Sequence, residues 1–237
     1  MKFSAPLQPA ILLRRYKRFL ADVQFPDGTE TTVHCPNPGA MLGVAPTGAR
    51  CWLSLSSNKN RKLPYTLEIV ECPGPDGPTL VGINTNLPNR LAEEAISAGL
   101  IGELDAAAPL RREVRYGEEK SRIDILLETS PPTWVEVKNC HLLRRDDGIT
   151  EFPDCVTTRG AKHLRELSSR VAAGDRAVLL FIVQRTDATG FSAAADLDPA
   201  YAAGLTEAME QGVEVLAYDC DISPEEITVR GPIPVIV

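Results

Sequence analysis

The first 85 residues alternate short apolar runs with turn-forming residues. Each run has the composition of a strand, and glycine, proline, asparagine or aspartate separates it from the next. The pattern predicts five strands, at residues 12–25, 31–35, 51–56, 65–71 and 80–85. Five short strands at such intervals are typical of a small barrel or a sandwich, and an OB-like β-barrel is the natural five-stranded candidate. The periodicity alone does not choose between the two.

A helical period replaces the strand pattern after Asn86. Apolar residues then recur at helical spacing, at Leu91, Ala95, Ile96 and Leu100. We therefore predict two domains, an OB-like domain at residues 1–86 and a second domain at residues 87–237.

The second domain alternates helices with strands. We predict a helix at 90–103, strands at 111–116, 122–128 and 133–139, a helix at 158–173, a strand at 177–184, a helix at 200–211 and a strand at 214–219. This order is αβββαβ with a further αβ unit. The strand at 177–184 is apolar on both faces, as expected for the centre of a sheet that helices cover. The whole chain is thus predicted to be an α/β protein, more closely a two-domain α+β protein with a central mixed sheet in its second domain.

Three charged residues interrupt the apolar runs of a predicted hairpin, "SRIDILLETSPPTWVEVKNC". They are Asp124, Glu136 and Lys138. Side chains alternate across a strand, so Glu136 and Lys138 share one face. With the turn centred between residues 130 and 131, residues whose numbers sum to about 261 lie opposite each other, which brings Asp124 close to both.

Burying such charges in a sheet requires compensation, because a buried charge without its partner costs roughly 3–5 kcal/mol. A divalent cation provides it. Two carboxylates, a main-chain carbonyl and waters form the oxygen shell that Mg²⁺ or Mn²⁺ prefers, and Lys138 would orient a water molecule. The alternative is an exposed hairpin edge with a surface Glu/Lys pair.

The formal charge of −7 is unevenly distributed over the 237 residues. Residues 1–90 contain 10 basic and 6 acidic residues, and the remainder contains 15 and 26. A basic N-terminal part suits a face that meets polyanions. The chain has no apolar run near the roughly 18 residues of a membrane span, and "MKFSAPLQPA" lacks the apolar core of a signal peptide. We expect a cytoplasmic protein that does not contact membranes.

Two resemblances follow from these motifs. "RIDILLE" and "WVEVKN" resemble the Asp…Glu-x-Lys core of the PD-(D/E)XK nuclease superfamily, whose common core has the same αβββαβ order. Along nearly the whole chain, blocks such as "HCPNPGAMLG", "NRKLPYTLEIVE", "VRYGEEKSRIDILL" and "FPDCVTTRGAKHL" resemble the sugar fermentation stimulation protein A family.

The family resemblance implies an OB-like domain, a nuclease-like domain, DNA binding and a link to the expression of bacterial sugar-utilisation genes. By position, Asp124 and Glu136 resemble the metal carboxylates, Lys138 the catalytic lysine and Glu94 the additional helical acid of some branches. The metal would be Mg²⁺ or Mn²⁺. Ile123 stands where the superfamily's name-giving motif has proline.

Basic residues in three segments are candidates for binding phosphates. We interpret "RRYKRF" as a strand that presents cations and aromatic rings, the equipment of an OB-type nucleic-acid surface, and "NKNRKL" as a basic loop. The helix at 158–173 adds cations beside the charged hairpin. The candidates are Arg14, Arg15, Lys17, Arg18, Lys59, Arg61, Lys62, Arg159 and Lys162. His163, for proton transfer, and Gln184, near the same sheet edge, are auxiliary candidates.

The functional hypothesis is a nucleic-acid-binding protein, for DNA rather than RNA, with a metal-dependent phosphodiester hydrolase site. The alternative is a non-catalytic DNA-binding regulator of sugar-utilisation genes that retains a nuclease scaffold. A third hypothesis, a sugar-related enzyme, lacks any glycine-rich phosphate loop in its support. The sequence leaves the oligomeric state open.

Overall fold

The computed structural model describes residues 1–117, 119 and 121–236. Within residues 1–87, all of which are described, the chain forms six strands. They are β1 (Gln8–Tyr16), β2 (Leu20–Gln24), β3 (Glu30–His34), β4 (Arg50–Leu55), β5 (Tyr65–Gly74) and β6 (Gly77–Gly82).

The first five strands close into a barrel. β1 pairs with β2 and β4, β2 pairs with β3, and β4 pairs with β5, all antiparallel. A parallel contact between His34 of β3 and Thr66 of β5 closes the ring. The OB-like barrel is therefore confirmed over the sandwich, while β6 continues the sheet from β5 outside the ring.

The strand predicted at residues 12–25 was wrong, because a hairpin divides it into β1 and β2. Lys17 and Arg18 adopt left-handed backbone angles, with φ of 48° and 61°, and Tyr16 pairs with Leu20 across the turn. Two consecutive residues with positive φ reverse the chain, as in the tight turns of β-hairpins. Arg15, Lys17 and Phe19 consequently do not lie along one strand face, and the turn projects its side chains from the barrel.

The second domain contains the predicted helices and strands in the predicted order, and its described residues form five further strands that were not predicted. Among the described residues it consists of α1 (Pro88–Ser97), β7 (Leu110–Tyr116), β8 (Ser121–Leu127), β9 (Thr133–Cys140), β10 (Leu142–Leu143), β11 (Ile149–Phe152), α2 (Thr158–Ala172), β12 (Arg176–Val183), β13 (Gly190–Ala193), α3 (Pro199–Glu210), β14 (Glu214–Ile222), β15 (Ile227–Pro232) and β16 (Val235–Ile236).

The main sheet of this domain is mixed, as predicted. Its strand order is β15-β14-β12-β9-β8-β7, in which β12 runs parallel to both β9 and β14 and the other neighbours are antiparallel. The αβββαβ core is confirmed. A second small sheet, β10-β11-β13-β16, was not predicted, because strands of two to four residues are too short to show a period.

Each helix begins at a residue suited to that position. Pro88 opens α1, where the missing N–H costs nothing, and the Thr157 side chain caps α2 by accepting from the Gly160 N–H. Gly99, with φ of 69°, follows α1, so this helix ends before the predicted residue 103. No helix in the described part of the chain is long and apolar enough to span a bilayer.

The two faces of the main sheet form separate apolar cores. Val135, Val137 and Leu180 pack on the α1 side, whereas Leu179 and Phe181 pack on the α2 and α3 side. Since neighbouring residues of a strand face opposite sides, Glu136 and Lys138 face α2. The sheet thus delivers the charged residues of β9 to the side where α2 presents its own polar residues.

The domains meet along the ends of β6 and β12. The Gly82 N–H donates to the Gln184 carbonyl over 3.0 Å, and Thr79 and Thr186 share a hydroxyl hydrogen bond of 2.7 Å. The chain start crosses this division, because Met1 packs in the core beside α1 and β15. The boundary at residues 86 and 87 stays a prediction.

Candidate metal and nucleic-acid site

Glu136 lies at the centre of a buried polar cluster between β9 and α2. Its side chain is 2% exposed. Its Oε1 accepts a 2.6 Å hydrogen bond from Lys138 Nζ and also contacts His163 Nδ1. β9 supplies Glu136 and Lys138, two residues apart on the same strand face, and α2 supplies His163. A sheet carboxylate is thus held between two nitrogen groups.

Asp124 joins this cluster at the point where β8 and β9 separate. The strands pair from Leu127 and Thr133 to Ile125 and Val135, and no further. Opposite residues therefore sum to 260, so the predicted register was wrong by one residue. Asp124 Oδ2 instead accepts from the Val137 N–H over 2.8 Å. The carboxylate thus takes the place of a backbone carbonyl of β8 as the acceptor for this N–H of β9.

Both carboxylates and the lysine line one cavity of about 370 Å³. The predicted convergence of Asp124, Glu136 and Lys138 therefore exists in the structure. Arg159, from the first turn of α2, is exposed and lines the same cavity. With Glu113, which also lines it, the cavity combines three acids with two cations, a composition suited to a metal ion and a phosphate group.

The two carboxylates differ in their electrostatic surroundings. Burial, and then repulsion from Glu136, raise the pKa of Asp124 to about 6, although Val137, Lys138 and Asn89 act in the opposite direction. For Glu136, burial also acts to raise the pKa, but Lys138 and His163 together outweigh it and hold that pKa below the usual range. Glu136 is thus an anion at neutral pH, whereas Asp124 loses its proton near pH 6.

Three charged groups contact the ring of His163. Arg159 Nε donates to His163 Nε2 over 3.3 Å, while Lys138 Nζ lies 3.0 Å from His163 Nδ1, which also contacts Glu136 Oε1. Arg159 and His163 together fix the orientation of the Glu136 carboxylate.

The donor set agrees with a hydrated divalent cation. Glu136 Oε2 is buried and has no hydrogen-bond partner among the described residues. Within the same residues, no group of three or more His, Cys, Asp or Glu side chains is arranged to hold a metal. Two carboxylates plus waters and substrate oxygens are what Mg²⁺ commonly binds. Asp124 and Glu136 therefore fit such an ion.

Glu94 does not reach the cavity. Its carboxylate is 43% exposed and lies 2.9 Å from both the Met1 ammonium and Arg90 Nε. The preceding residue, Glu93, lines a smaller adjoining cavity together with Asp124 and pairs with Arg112. This placement disagrees with a metal-ligand role for Glu94, because the helix turns its side chain toward the chain start.

The remaining candidates near the hairpin divide by helix face. Arg159 lines the cavity and His163 contacts Glu136, whereas Lys162 donates to the Glu119 carbonyl. Gln184 is fully buried and lines neither this cavity nor the adjoining one. Its amide instead donates to Asn139 Oδ1 over 2.6 Å at the domain junction.

The basic residues of the barrel fall into two groups. Arg14 pairs with Asp22, Arg15 donates to the carbonyls of residues 37, 39 and 40, and Arg61 contacts His34 Nδ1 over 2.9 Å. These three stabilise the barrel and its loops. The others are exposed side chains, namely Lys17, Arg18, Lys59 and Lys62.

Sequence reasoning missed two residues that line the cavity. Asn89, at the start of α1, donates from Nδ2 to Asp124 Oδ1 over 2.7 Å. Glu113, in β7, has a left-handed φ of 52° and lines the cavity as well. An asparagine before a helix predicts only a cap, and a left-handed residue inside a strand has no sequence signature here.

Comparisons with known proteins agree with both domains. A family model for the sugar fermentation stimulation protein RE domain matches residues 86–226, and one for the SfsA N-terminal OB domain matches residues 13–83. The solved structure of Pyrococcus furiosus SfsA in complex with Ca²⁺ superposes with a TM-score of 0.87 at 31% identity, covering 100% of this chain and 98% of that one.

Curated relatives match along the full length. A sugar fermentation stimulation protein homologue of Jannaschia sp. (strain CCS1) is 54% identical over 237 residues, which are 99% of this chain and 97% of the relative. The homologue of Rhodospirillum centenum is 57% identical over 229 residues, 96% of each chain. With these matches, the family predicted from the sequence motifs is confirmed, and the chain belongs to the sugar fermentation stimulation protein family.

Proposed function

We propose that this protein binds nucleic acid, DNA rather than RNA, and hydrolyses its phosphodiester bonds with the help of Mg²⁺ or Mn²⁺. One observation supports this most directly. The cavity of Asp124, Glu136 and Lys138 contains a buried carboxylate oxygen without a partner among the described residues. Desolvating a charged oxygen and leaving it unpaired is costly, and a cation removes that cost.

Asp124 and Glu136 would hold the metal ion. When bound, the ion supplies the positive charge that stabilises a phosphate group as its oxygens gain negative charge. The Ca²⁺ in the structure of the P. furiosus relative supports a divalent cation in this family. Asn89 holds Asp124 and His163 holds Glu136, so both carboxylates are oriented before the ion arrives.

Lys138 would position the attacking water molecule and share in neutralising the phosphate. Its side chain is 12% exposed and its ammonium already lies 2.6 Å from Glu136 Oε1, so the group is fixed rather than mobile. The exposed guanidinium of Arg159 at the cavity wall offers paired N–H donors for phosphate oxygens. Charge on these two side chains, in a partly dehydrated cavity, favours the transition state over the substrate.

The assay that tests this function is incubation of the purified protein with single- and double-stranded DNA and RNA, each with Mg²⁺, Mn²⁺ or EDTA. We expect cleavage that requires the metal and favours DNA. Binding with a steep salt dependence but without cleavage would contradict the hydrolase and favour the regulator of sugar-utilisation genes.

The hairpin tip, residues Lys17 to Phe19, is the part of the barrel best placed to contact a nucleic-acid backbone. Both cations of the tip are exposed, and each phosphate contact contributes about 0.7–0.9 to the slope of log affinity against log salt concentration. We expect Lys17→Asn with Arg18→Asn to weaken binding and to lower that slope by about 1.4–1.8. Asparagine tolerates the left-handed backbone, so the turn is preserved.

The matched control for the tip is Arg111→Gln. Arg111 lies on β7, the edge strand of the main sheet of the second domain. It is 60% exposed and pairs with Glu128, and it does not line the cavity. Fluorescence anisotropy titrations at four or more salt concentrations measure the slopes. Equal slopes for the tip variant and the unmodified protein would remove the tip from the binding surface.

A further inference from the structure

A second cavity of about 350 Å³ adjoins the candidate site. The two share the wall formed by Lys138, Phe152 and Thr157. The second cavity extends from there to the loop of residues 37–39 of the barrel and the segment of residues 153–156 before α2. Both domains therefore build it, and a molecule bound in it would continue directly into the catalytic cavity.

A chain of hydrogen bonds fixes the polar groups at its base. The Asn84 carbonyl can only accept, so Gln184 Nε2 is the donor toward it, over 3.4 Å. The same nitrogen donates to Asn139 Oδ1 over 2.6 Å. Asn139 Nδ2 consequently donates to His141 Nδ1, over 2.8 Å. This sequence of donors puts the single proton of a neutral His141 on Nε2.

The Nε2–H of His141 is buried without a partner in the described part of the chain. His141 is 6% exposed, and burial lowers its pKa to about 4, against the opposing effect of Asp154, so the ring is neutral. Arg185, which donates to the His141 carbonyl, and Arg15 also disfavour its protonation. A buried donor without a protein partner, at the wall of a cavity, can be satisfied by an acceptor that enters the cavity.

An acceptor lies beside this donor. Asp154 Oδ2 is 4.0 Å from His141 Nε2, too far for a direct hydrogen bond, and the carboxylate is held by the Met41 N–H over 2.9 Å. Pro38, Phe152 and Val156 add apolar walls. The cavity thus presents one donor and one acceptor, side by side, between apolar surfaces.

We propose that this second cavity is a nucleobase subsite, which receives one unpaired base of a nucleic acid whose backbone passes Lys138. A base is flat, has apolar faces, and presents adjacent donor and acceptor groups along one edge. Its attached phosphate would lie toward the shared wall. Since a base inside the pocket is unpaired, the substrate class is single-stranded nucleic acid or a frayed end. This inference rests on the nucleic-acid binding of the proposed function, but not on cleavage.

The test is binding of single-stranded DNA of about 12 nucleotides, with one 2-aminopurine moved through the sequence, in EDTA so that no cleavage occurs. The fluorescence of this base rises when it leaves the stack of its neighbours. We expect one position, and not the others, to brighten on binding. His141→Leu should abolish the brightening and weaken binding about tenfold, while His141→Gln, which keeps a donor, should restore much of both.

A second pair of variants avoids any folding defect from replacing a buried residue. Val156 is 69% exposed at the cavity mouth, and Leu100 is 50% exposed beyond α1, on the other face of the sheet. We expect Val156→Trp to fill the mouth and abolish the bright position, and Leu100→Trp to leave it unchanged. Brightening that survives both His141→Leu and Val156→Trp would overturn the subsite, as would binding without any bright position or no binding at all. If the DNA binds and one position brightens in EDTA, but the DNA is not cleaved when Mg²⁺ or Mn²⁺ is added, the hydrolase proposal fails and the subsite proposal stands.

Discussion

Replacing Lys138 by methionine is expected to lower the rate of metal-dependent DNA cleavage by a factor of about 10²–10³, the usual cost of removing one donor that acts on the transition state. Methionine keeps the length and the apolar stem of the side chain but removes the ammonium that lies 2.6 Å from Glu136. Cleavage rates of a labelled single strand under saturating Mg²⁺ measure the effect.

The control for this substitution is Arg165→Ala. Arg165 is a cation of the same helix as His163, but it is 61% exposed and pairs with Glu119, so its loss should leave the rate within about twofold, the range of ordinary surface changes. Calorimetric titration with Mn²⁺ shows whether the Lys138→Met protein still binds metal. A rate equal to that of the unmodified protein would rule out a catalytic role for Lys138.

Asp124→Asn is expected to remove from the metal-free protein an ionisation cost of about 2–3 kcal/mol at pH 7.5, since each unit of pKa shift corresponds to about 1.4 kcal/mol. Asparagine has one acceptor oxygen where the carboxylate accepts from both the Val137 N–H and Asn89 Nδ2, so the lost hydrogen bond offsets about 1–3 kcal/mol of this gain at every pH. The pKa of Asp124 is raised from 3.8 to about 6 by burial and by Glu136. The folded protein therefore holds this proton more tightly than the unfolded chain does. Ionising Asp124 costs stability, so the stability of the unmodified protein falls as the pH rises from about 4 to about 6.

Denaturant unfolding in EDTA between pH 4 and pH 8 measures this effect. The substituted asparagine has no charge to gain, so we expect the Asp124→Asn protein to lack that part of the pH dependence, and Mg²⁺ to stabilise the unmodified protein more than the variant. Asp196→Asn is the control with the opposite environment, because Arg144 lowers the pKa of Asp196 to about 2. A stability difference between the Asp124→Asn protein and the unmodified protein that does not change between pH 4 and pH 7 in EDTA would contradict the electrostatic account.

The sequence predicted the parts of the site that depend on strand parity and element order. Glu136 and Lys138 share a face because they are two residues apart in a strand, and this does not depend on the tertiary structure. Parity does not fix how strands align. Five residues separate Leu127 from Thr133, the pair nearest the turn. A turn of five residues has its centre at residue 130, not between residues 130 and 131. The predicted register was therefore wrong by one residue.

Other misses have local causes. The left-handed residues at the hairpin tip interrupt an otherwise strand-like run, and left-handed lysine and arginine are uncommon enough that no pattern predicts them. Glu94 follows Glu93 in α1, and a difference of one residue rotates a side chain by about 100° around a helix. The resemblance identified a helix with acidic residues, but not which of the two acids faces the cavities. Asn89 and His141 became visible as functional candidates only through the partners that fix their orientation.

The central claim is that Asp124 and Glu136 together bind a divalent cation in the cavity beside Lys138. Anomalous diffraction from crystals soaked in Mn²⁺ tests it most directly. The account predicts one strong peak at bonding distance from oxygens of both carboxylates, which disappears in crystals of Asp124→Asn. A peak elsewhere, or a cavity without a peak while Mn²⁺ occupies other sites of the same crystal, would contradict it.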